Sequence, residues 1–262
     1  MTTADVASAK RLDFGVVVRR TFGVIGRNLG PFVLGGTLLV GVPSVLIGAL
    51  QGNLTQAADA PTSPFALTAI VLSLVGIFAS LIGGFLLQVA VVQATVADLN
   101  GRKAALSAGL SLGLQLFLPL LGLGMIVGIL SGLASMLLLV PGLILMVMWS
   151  VATPALVVER RGVMASLQRS RDLTRNNRWT IFGLMFVYLA VYLLIYFALG
   201  AVGGALGAGS VLTPTSETTS VVTLVTGVLG AVIGTTGVAV IYSELRANKE
   251  GVGPDQLASV FD

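Results

Sequence analysis

The sequence contains no cysteine and no histidine. Without cysteine the chain has no disulfide framework and no thiolate chemistry. Without histidine it lacks the commonest general base, the commonest metal ligand and the side chain that titrates near neutral pH. These two absences predict a protein that is not an enzyme and that carries no metal and no cofactor.

Charged residues are also scarce, at 10% of the 262 residues, whereas hydrophobic residues make up 55%. Soluble domains typically carry about 25% charged residues. With a mean hydropathy of +0.98, a soluble fold of this length could not hide its apolar surface, because much of any globule faces water. The apolar stretches are long and continuous, which predicts membrane-spanning helices rather than the alternating pattern of a barrel.

We therefore predict an all-α polytopic membrane protein whose single integral membrane domain covers residues 1–262. A hydrocarbon core about 30 Å thick needs roughly 20 residues of helix. The apolar stretch 116–158 is too long for one helix, and Val140, Pro141 and Gly142 predict a tight hairpin within it. The expected spans are 31–51, 65–97, 117–139, 142–158, 181–205 and 221–242, followed by a polar tail, 243–262.

The positions of the cations predict the orientation of these spans. All 15 lysines and arginines fall before the first span, in the second and fourth connections, or in the tail. Cytoplasmic loops of membrane proteins carry an excess of Lys and Arg. The pattern predicts a bacterial inner-membrane protein with both termini in the cytoplasm. The basicity is then a property of topology, so we do not expect nucleic acid as a partner.

Three of the spans have an acidic residue at their predicted cytoplasmic end, and one or two cations follow each acid. The acids are Asp98, Glu159 and Glu244. One interpretation is a carboxylate cluster that binds a cation or relays protons. The other pairs each acid with the neighbouring arginine and so fixes a helix end, where the dipole disfavours an acid and favours a cation. The recurrence also predicts a three-fold internal repeat, in which each unit is a short amphipathic helix followed by two spans.

The clearest of the predicted amphipathic helices covers residues 14–28, which are too short and too charged to span a membrane. Such a helix is expected to lie in the interface with its arginines towards lipid headgroups. Arg20 and Arg27 fall on its polar face. The predicted apolar face consists of Phe14, Val17, Val18, Phe22 and Ile25.

The arginine-rich connection between the fourth and fifth spans is the most distinctive stretch of the chain. Cations beside a bilayer attract anionic lipid, by about 1 kcal/mol each, and a tryptophan anchors at headgroup level. The alternative is that these charges only set the topology. The candidate headgroup contacts are Arg19, Arg20, Arg27, Arg160, Arg161, Arg169, Arg171, Arg175, Arg178 and Trp179.

Glycines spaced four residues apart predict close helix packing, because small residues let helix backbones approach each other in lipid. The partner can be another span, a second copy of the chain or another membrane protein. These glycines are Gly124, Gly128, Gly132, Gly200, Gly204, Gly230 and Gly234. No charged residue occupies the centre of a span, which counts against ion-coupled transport. The polar residues left there are neutral: Gln88, Gln93, Ser150, Thr153, Thr235 and Thr236.

Several segments resemble the bacterial family named for the membrane domain of glycerophosphoryl diester phosphodiesterase. They are PALVVE at 154–159, SLQRS at 166–170, Leu173, Thr174 and Trp179. YSELR at 242–246, with 249–251 and 256–262, is similar to the stand-alone members. The resemblance implies a six-helix membrane module. The hydrolytic TIM barrel of the longer relatives, with its His, Glu and divalent metal, is missing here, so no catalytic residue carries over.

Two functions remain open on the sequence. The first is a non-catalytic membrane module, a scaffold or an accessory for lipid or envelope processes, whose arginine-rich cytoplasmic face contacts anionic lipid headgroups. The alternative is a transporter, channel or lipid flippase with a path between the repeated hairpins. A cavity lined by Gln88, Gln93 or Thr153 would favour the alternative. A solid glycine-packed bundle would favour the scaffold.

Overall fold

The structure is a computed structural model, and it describes residues 12–43, 65–103, 106–205 and 216–250. These residues form helices and short connections, without a β-strand. The helices are α1 (Phe14–Arg27), α2 (Leu29–Gly36), α3 (Phe65–Leu99), α4 (Leu106–Leu137), α5 (Leu139–Met148), α6 (Ala152–Glu159), α7 (Val163–Thr174), α8 (Arg178–Ala205) and α9 (Ser216–Glu250), with α2 continued by a π-helical turn, Thr37–Gly41.

Five helical segments in this part of the chain are long and apolar enough to cross a membrane: Ile70–Leu99, Ser107–Leu137, Leu139–Glu159, Arg178–Val202 and Leu224–Glu250. A sixth is counted if α1 and the segment Leu29–Gly41, which meet at a bend of 78°, form one broken span. The prediction of an all-helical chain with several helices able to cross a membrane is thereby confirmed. Of the predicted first span, residues 44–51 lie outside the described residues.

Helix α1 begins and ends at side chains that cap it. The carboxylate of Asp13 accepts a hydrogen bond from the Val16 amide at 3.1 Å, and Asn28 ends the helix with its side chain on the Val24 carbonyl. The buried face is Val17, Thr21 and Val24, rotated from the predicted apolar face, because Phe14 and Phe22 are exposed.

Thr21 can be buried in α1 because its hydroxyl has partners. It donates to the Val17 carbonyl at 2.8 Å and lies 3.0 Å from the hydroxyl of Tyr188 in α8. A buried hydroxyl without partners would be costly, and these contacts remove that cost.

The hairpin between α4 and α5 turns at Leu138, which is extended with φ −154° and ψ 133°. The predicted turn at residues 140–142 is three positions too late. Pro141 lies in the first turn of α5, where a missing N–H costs nothing because that amide has no intrahelical acceptor. Gly142 is required at the crossing, since a Cβ there would lie 1.8 Å from Ser135 Oγ.

The returning arm of this hairpin is itself interrupted between Met148 and Ala152. Pro154 explains the break, because it has no N–H for the carbonyl of Ser150 and its ring would clash there. The freed carbonyl of Met148 accepts hydrogen bonds from Ser170 Oγ at 2.9 Å and Thr174 Oγ1 at 3.3 Å. Two side chains of α7 thereby cap the C-terminal end of α5.

Two other helices are longer than predicted. The three-fold repeat predicts a short amphipathic helix at 104–116 in its second unit, but residues 106–116 join the following span in α4. Helix α9 continues from the predicted end at 242 to Glu250. Leu245 is buried, and Arg246 pairs with Glu250 one turn later at 2.7 Å, which stabilises the extension. Of the predicted tail, residues 251–262 lie outside the described residues.

Burial is concentrated at one end of the molecule. Helix α9 contributes to all three clusters of buried apolar side chains, with Val232, Ala239 and Tyr242 among its members. We call α1 and the segments 87–99, 152–179 (which contains α6 and α7) and 236–250 the ion-paired end. We call segments 67–82, 125–137 and 186–202 the apolar half, where most large hydrophobic side chains are exposed.

Candidate functional site

The ion-paired end contains all three recurring acids, each bound by an arginine. Asp98, near the end of α3, receives Arg27, whose Nη2 lies 2.5 Å and whose Nε lies 3.2 Å from Oδ2. Asn28 Nδ2 donates to Oδ1 of the same carboxylate at 3.2 Å. The bend between α1 and α2 is therefore tied to the end of α3.

Glu159, the last residue of α6, is the most buried of the three acids, with its side chain 7% exposed. Its Oε1 accepts from Arg169 Nε at 2.8 Å and from the hydroxyl of buried Tyr242 at 2.9 Å. Arg161 Nε lies 3.1 Å from Oε2, without the geometry of a hydrogen bond. Helices α6, α7 and α9 meet at this carboxylate.

Arg169 links two acids, because its Nη2 contacts Glu250 of α9. Burial lowers the pKa of Arg169, but its hydrogen bonds to Glu159 and Glu250 outweigh this and hold the pKa above its ordinary value. The guanidinium therefore stays charged at every physiological pH. The third acid, Glu244, pairs with Arg20 of α1.

Glu159 pairs with the following Arg161, as expected, but the other two acids have different partners from those expected on the sequence. We expected cations that directly follow each acid, whereas Asp98 and Glu244 pair with α1, 71 and 224 positions away. Among the described residues, no three acidic side chains lie close enough to hold a metal ion. This geometry favours acids that fix helix ends over a cation-binding cluster.

The pairing divides the arginine candidates into two sets. Arg20, Arg27, Arg161 and Arg169 are in ion pairs. In the described ranges, five others are exposed and have no acidic side chain within 4 Å: Arg19, Arg160, Arg171, Arg175 and Arg178. Trp179 is 87% exposed, beside Arg178. Three of the five, Arg171, Arg175 and Arg178, thus lie where α7 leads into α8.

A groove of about 400 Å³ begins at Arg178 and Trp179. The rest of its lining is apolar and comes from α5 and α8: Val140, Leu143, Ile144, Val147 and Phe182. Trp179 and Phe182 meet edge to face, with ring centroids 6.3 Å apart. The groove combines a cation, an interfacial aromatic residue and a hydrocarbon-like wall.

A second cavity, of about 230 Å³, lies between α3, α9 and the break of the α5–α6 arm. We call it the polar cavity. Four neutral polar side chains line it, together with glycine and apolar residues. Its lining is Gln88, Val92, Ser150, Thr153, Pro154, Gly230, Ala231, Gly234, Thr235 and Val238. Gln93 and Thr236 are not part of this lining.

A family model for a domain of unknown function, DUF7847, matches residues 12–245. The chain belongs to the DUF7847 family. No curated protein and no solved structure matches it. The match covers the ion-paired end, the groove and the polar cavity of this DUF7847 member, and it assigns no activity to any of them. The resemblance to the phosphodiesterase membrane domain stays a prediction.

The glycine contacts of this DUF7847 member differ from one position to another. A Cβ at Gly230 would lie 2.9 Å from the ring of Tyr192, and one at Gly124 would lie 3.6 Å from Phe85. A Cβ at Gly128, Gly132 or Gly234 would meet nothing within 4 Å among the described residues. Of the remaining two candidates, Gly200 is buried and Gly204 is exposed.

Several contacts that hold the DUF7847 helices together were missed on the sequence. On the sequence, Tyr242, Ser170 and Thr174 stand only in the segments that carry the family resemblance, and no contact partner is predicted for them. These two lie one turn apart on the buried face of an arginine-rich helix. That spacing of small hydroxyl residues is the pattern that could have indicated a helix-capping role.

Proposed function

We propose that this chain is a non-catalytic integral membrane module that binds anionic phospholipid through the exposed arginines of its ion-paired end. The observation that carries the proposal is the groove at Arg178 and Trp179. Its apolar wall suits an acyl chain, and the guanidinium suits a phosphate, which arginine binds with two parallel hydrogen bonds.

The free arginines around the groove add to this attraction. Arg171 and Arg175 precede Arg178 closely and have no acidic partner among the described residues. A cation near a negatively charged membrane surface contributes about 1 kcal/mol of binding free energy. Four other arginines are neutralised by carboxylates. The positive charges of Arg171, Arg175 and Arg178 are not, so they remain available to bind lipid.

The proposed location is the bacterial inner membrane, with the ion-paired end and both termini on the cytoplasmic side. Its support is that every cation of the sequence falls on one side of the predicted spans. Anionic lipids give the cytoplasmic leaflet its negative potential, so this orientation brings the exposed arginines against the matching surface. The role as a scaffold or accessory in lipid or envelope processes follows from that placement.

The proposed interfacial helices are α1 and α7, which fit a repeat with an offset of 149 residues. Arg20 then corresponds to Arg169. Arg20 pairs with Glu244 of α9, and Arg169 pairs with Glu159, the last residue of α6. The buried positions Val17, Thr21 and Val24 correspond to Ser166, Ser170 and Leu173, which are also buried. In the middle unit the short helix is fused into α4.

A second candidate function is a transport path between the helix hairpins, as in a transporter, channel or lipid flippase. The observation that favours it is the polar cavity, whose lining includes Gln88 and Thr153. Polar groups at membrane depth commonly mark the route of a substrate.

The lipid proposal is tested by native mass spectrometry of the purified protein, titrated with phosphatidylglycerol and with phosphatidylcholine. The wild-type chain should retain the anionic lipid preferentially. Arg178→Gln should weaken that retention about fivefold, the equivalent of one cation worth about 1 kcal/mol.

The matched control is Arg19→Gln, which removes the same charge from an exposed position outside the groove. Its effect on retention should be clearly smaller. Equal loss in both variants would show that total charge, not the groove, governs binding. Unchanged preference in Arg178→Gln would contradict the proposed site.

A further inference from the structure

The polar cavity gathers side chains that are far apart in the sequence. Gln88 comes from α3, Ser150 and Thr153 from the interrupted α5–α6 arm, and Thr235 from α9. Polar groups in a membrane-spanning bundle are costly unless they find partners. The convergence of four such side chains on one cavity therefore indicates a shared role rather than unrelated polar positions.

Three of these side chains have no hydrogen-bond partner in the part of the chain that the structure describes. No hydrogen bond to the side chain of Gln88, Thr153 or Thr235 is made by the residues that the structure describes. Ser150 Oγ donates to the Val147 carbonyl at 2.9 Å. The cavity therefore offers an amide and hydroxyl groups, each able to donate and to accept.

The backbone is irregular at the same place. The break between Met148 and Ala152 and the missing N–H of Pro154 leave the carbonyl of Ser150 without its helical donor. Irregular backbone at membrane depth is tolerated where it is buried in protein or lines a cavity. Interrupted helices of this kind form substrate sites in membrane proteins, and here the interruption borders the polar cavity.

Glycine keeps this space open on the side of α9. A Cβ at Gly234 would meet no described atom within 4 Å, although the helix is continuous there. No acidic or basic residue belongs to the lining. A charged ligand would lose its hydration without compensation, so the cavity fits an uncharged one.

We propose that the polar cavity is a binding site within the membrane for an uncharged, hydroxyl-bearing group, that is, a polyol. A free polyol such as glycerol and the sugar headgroup of a neutral glycolipid present the same chemistry. The site is independent of the arginines at the groove, so lipid retention at Arg178 and occupancy of the cavity can fail separately.

The absence of cysteine makes the site accessible to single-cysteine labelling. Thr235→Cys places one thiol in the cavity wall, and a water-soluble thiosulfonate reagent reports whether water reaches it in proteoliposomes. We expect labelling, since only the hydrated thiolate reacts. We expect free glycerol, a glucosyl lipid, or both to slow the labelling, and inorganic phosphate to leave it unchanged.

A filling variant identifies the cavity as the labelled space. Adding Gly234→Leu to Thr235→Cys should abolish labelling. Adding Gly132→Leu, a position that is also open but outside the cavity, should leave labelling intact. Size-exclusion elution and full labelling after denaturation confirm that each variant is folded and carries its thiol.

Each outcome decides the proposal. If only glycerol slows the labelling of the thiol, the ligand is a free polyol. If only the glucosyl lipid slows it, the ligand is a lipid headgroup. If both slow it, the cavity recognises the polyol chemistry that the two share. Labelling that no polyol slows would mean a water-filled void and would overturn the proposal. Absence of labelling in Thr235→Cys, or equal protection by phosphate, would overturn it as well.

Discussion

The ion-paired end and the apolar half of this DUF7847 member are stabilised in different ways. At the ion-paired end, Asp98, Glu159 and Glu244 each bind an arginine, and the side chains between them are buried. In the apolar half, residues such as Leu133 and Phe186 are exposed. The first region is specified by particular partners, whereas the second needs only to be apolar, because lipid takes the place of a protein core.

The difference has a functional side. A region built from specific polar partners can leave particular charges unpaired, and Arg171, Arg175 and Arg178 are among those left at the ion-paired end. The apolar half offers no such selectivity. The polar cavity adjoins the break of the α5–α6 arm, and the groove is lined by α5 up to Val147, just before that break.

The largest effect on stability is expected from Glu159→Ala. The change leaves Arg169 with one carboxylate instead of two and removes the acceptor of the buried Tyr242 hydroxyl. Breaking a buried ion pair costs about 3–5 kcal/mol. We expect the free energy of unfolding in mixed detergent micelles to fall by about 4 kcal/mol.

Asp172→Asn is the control for this change, because Asp172 is an exposed acid on α7 with no arginine partner among the described residues. Its effect should be small. Similar stabilities for Glu159→Ala and Asp172→Asn would mean that the ion-paired end does not hold the helices together.

A pair of leucine truncations, with a smaller expected loss of stability, compares the two regions directly. Leu173→Ala removes a fully buried side chain at the ion-paired end, while Leu133→Ala trims one that is 57% exposed in the apolar half. Truncating a buried leucine costs about 2–5 kcal/mol, so we expect about 3 kcal/mol for Leu173→Ala and less than about 1 kcal/mol for Leu133→Ala. Equal losses in the same unfolding assay would remove the distinction between the regions.

Much of the fold could be predicted because the bilayer imposes it. A span must be long and apolar, and residues 65–97 and 181–205 satisfy this without reference to any other part of the chain. The exact turn could not be derived from Pro141 alone, since proline is tolerated in the first turn of a helix as well as between helices. Pro154 is the residue that could have indicated the second break, but the predicted span 142–158 continues through it without interruption.

The contacts of the candidate site were harder to predict. The rotation of α1 depends on Thr21 meeting Tyr188, 167 positions later, and a helical wheel contains no information on that partner. Arg20 and Arg169 have the same side chain as Arg171, yet only the folded chain separates paired from free arginines. The neutral residues Gln88 and Thr153 could be named as candidates, but their convergence required the tertiary structure.

The central claim is that the exposed arginines of the ion-paired end bind anionic phospholipid. The most direct measurement is to identify and count, by mass spectrometry, the lipid that remains bound after purification in mild detergent. The account predicts an anionic phospholipid at about one molecule or more per chain, enriched over its share of the membrane. Lipid present only in the proportions of the bulk membrane, or no retained phospholipid, would contradict it.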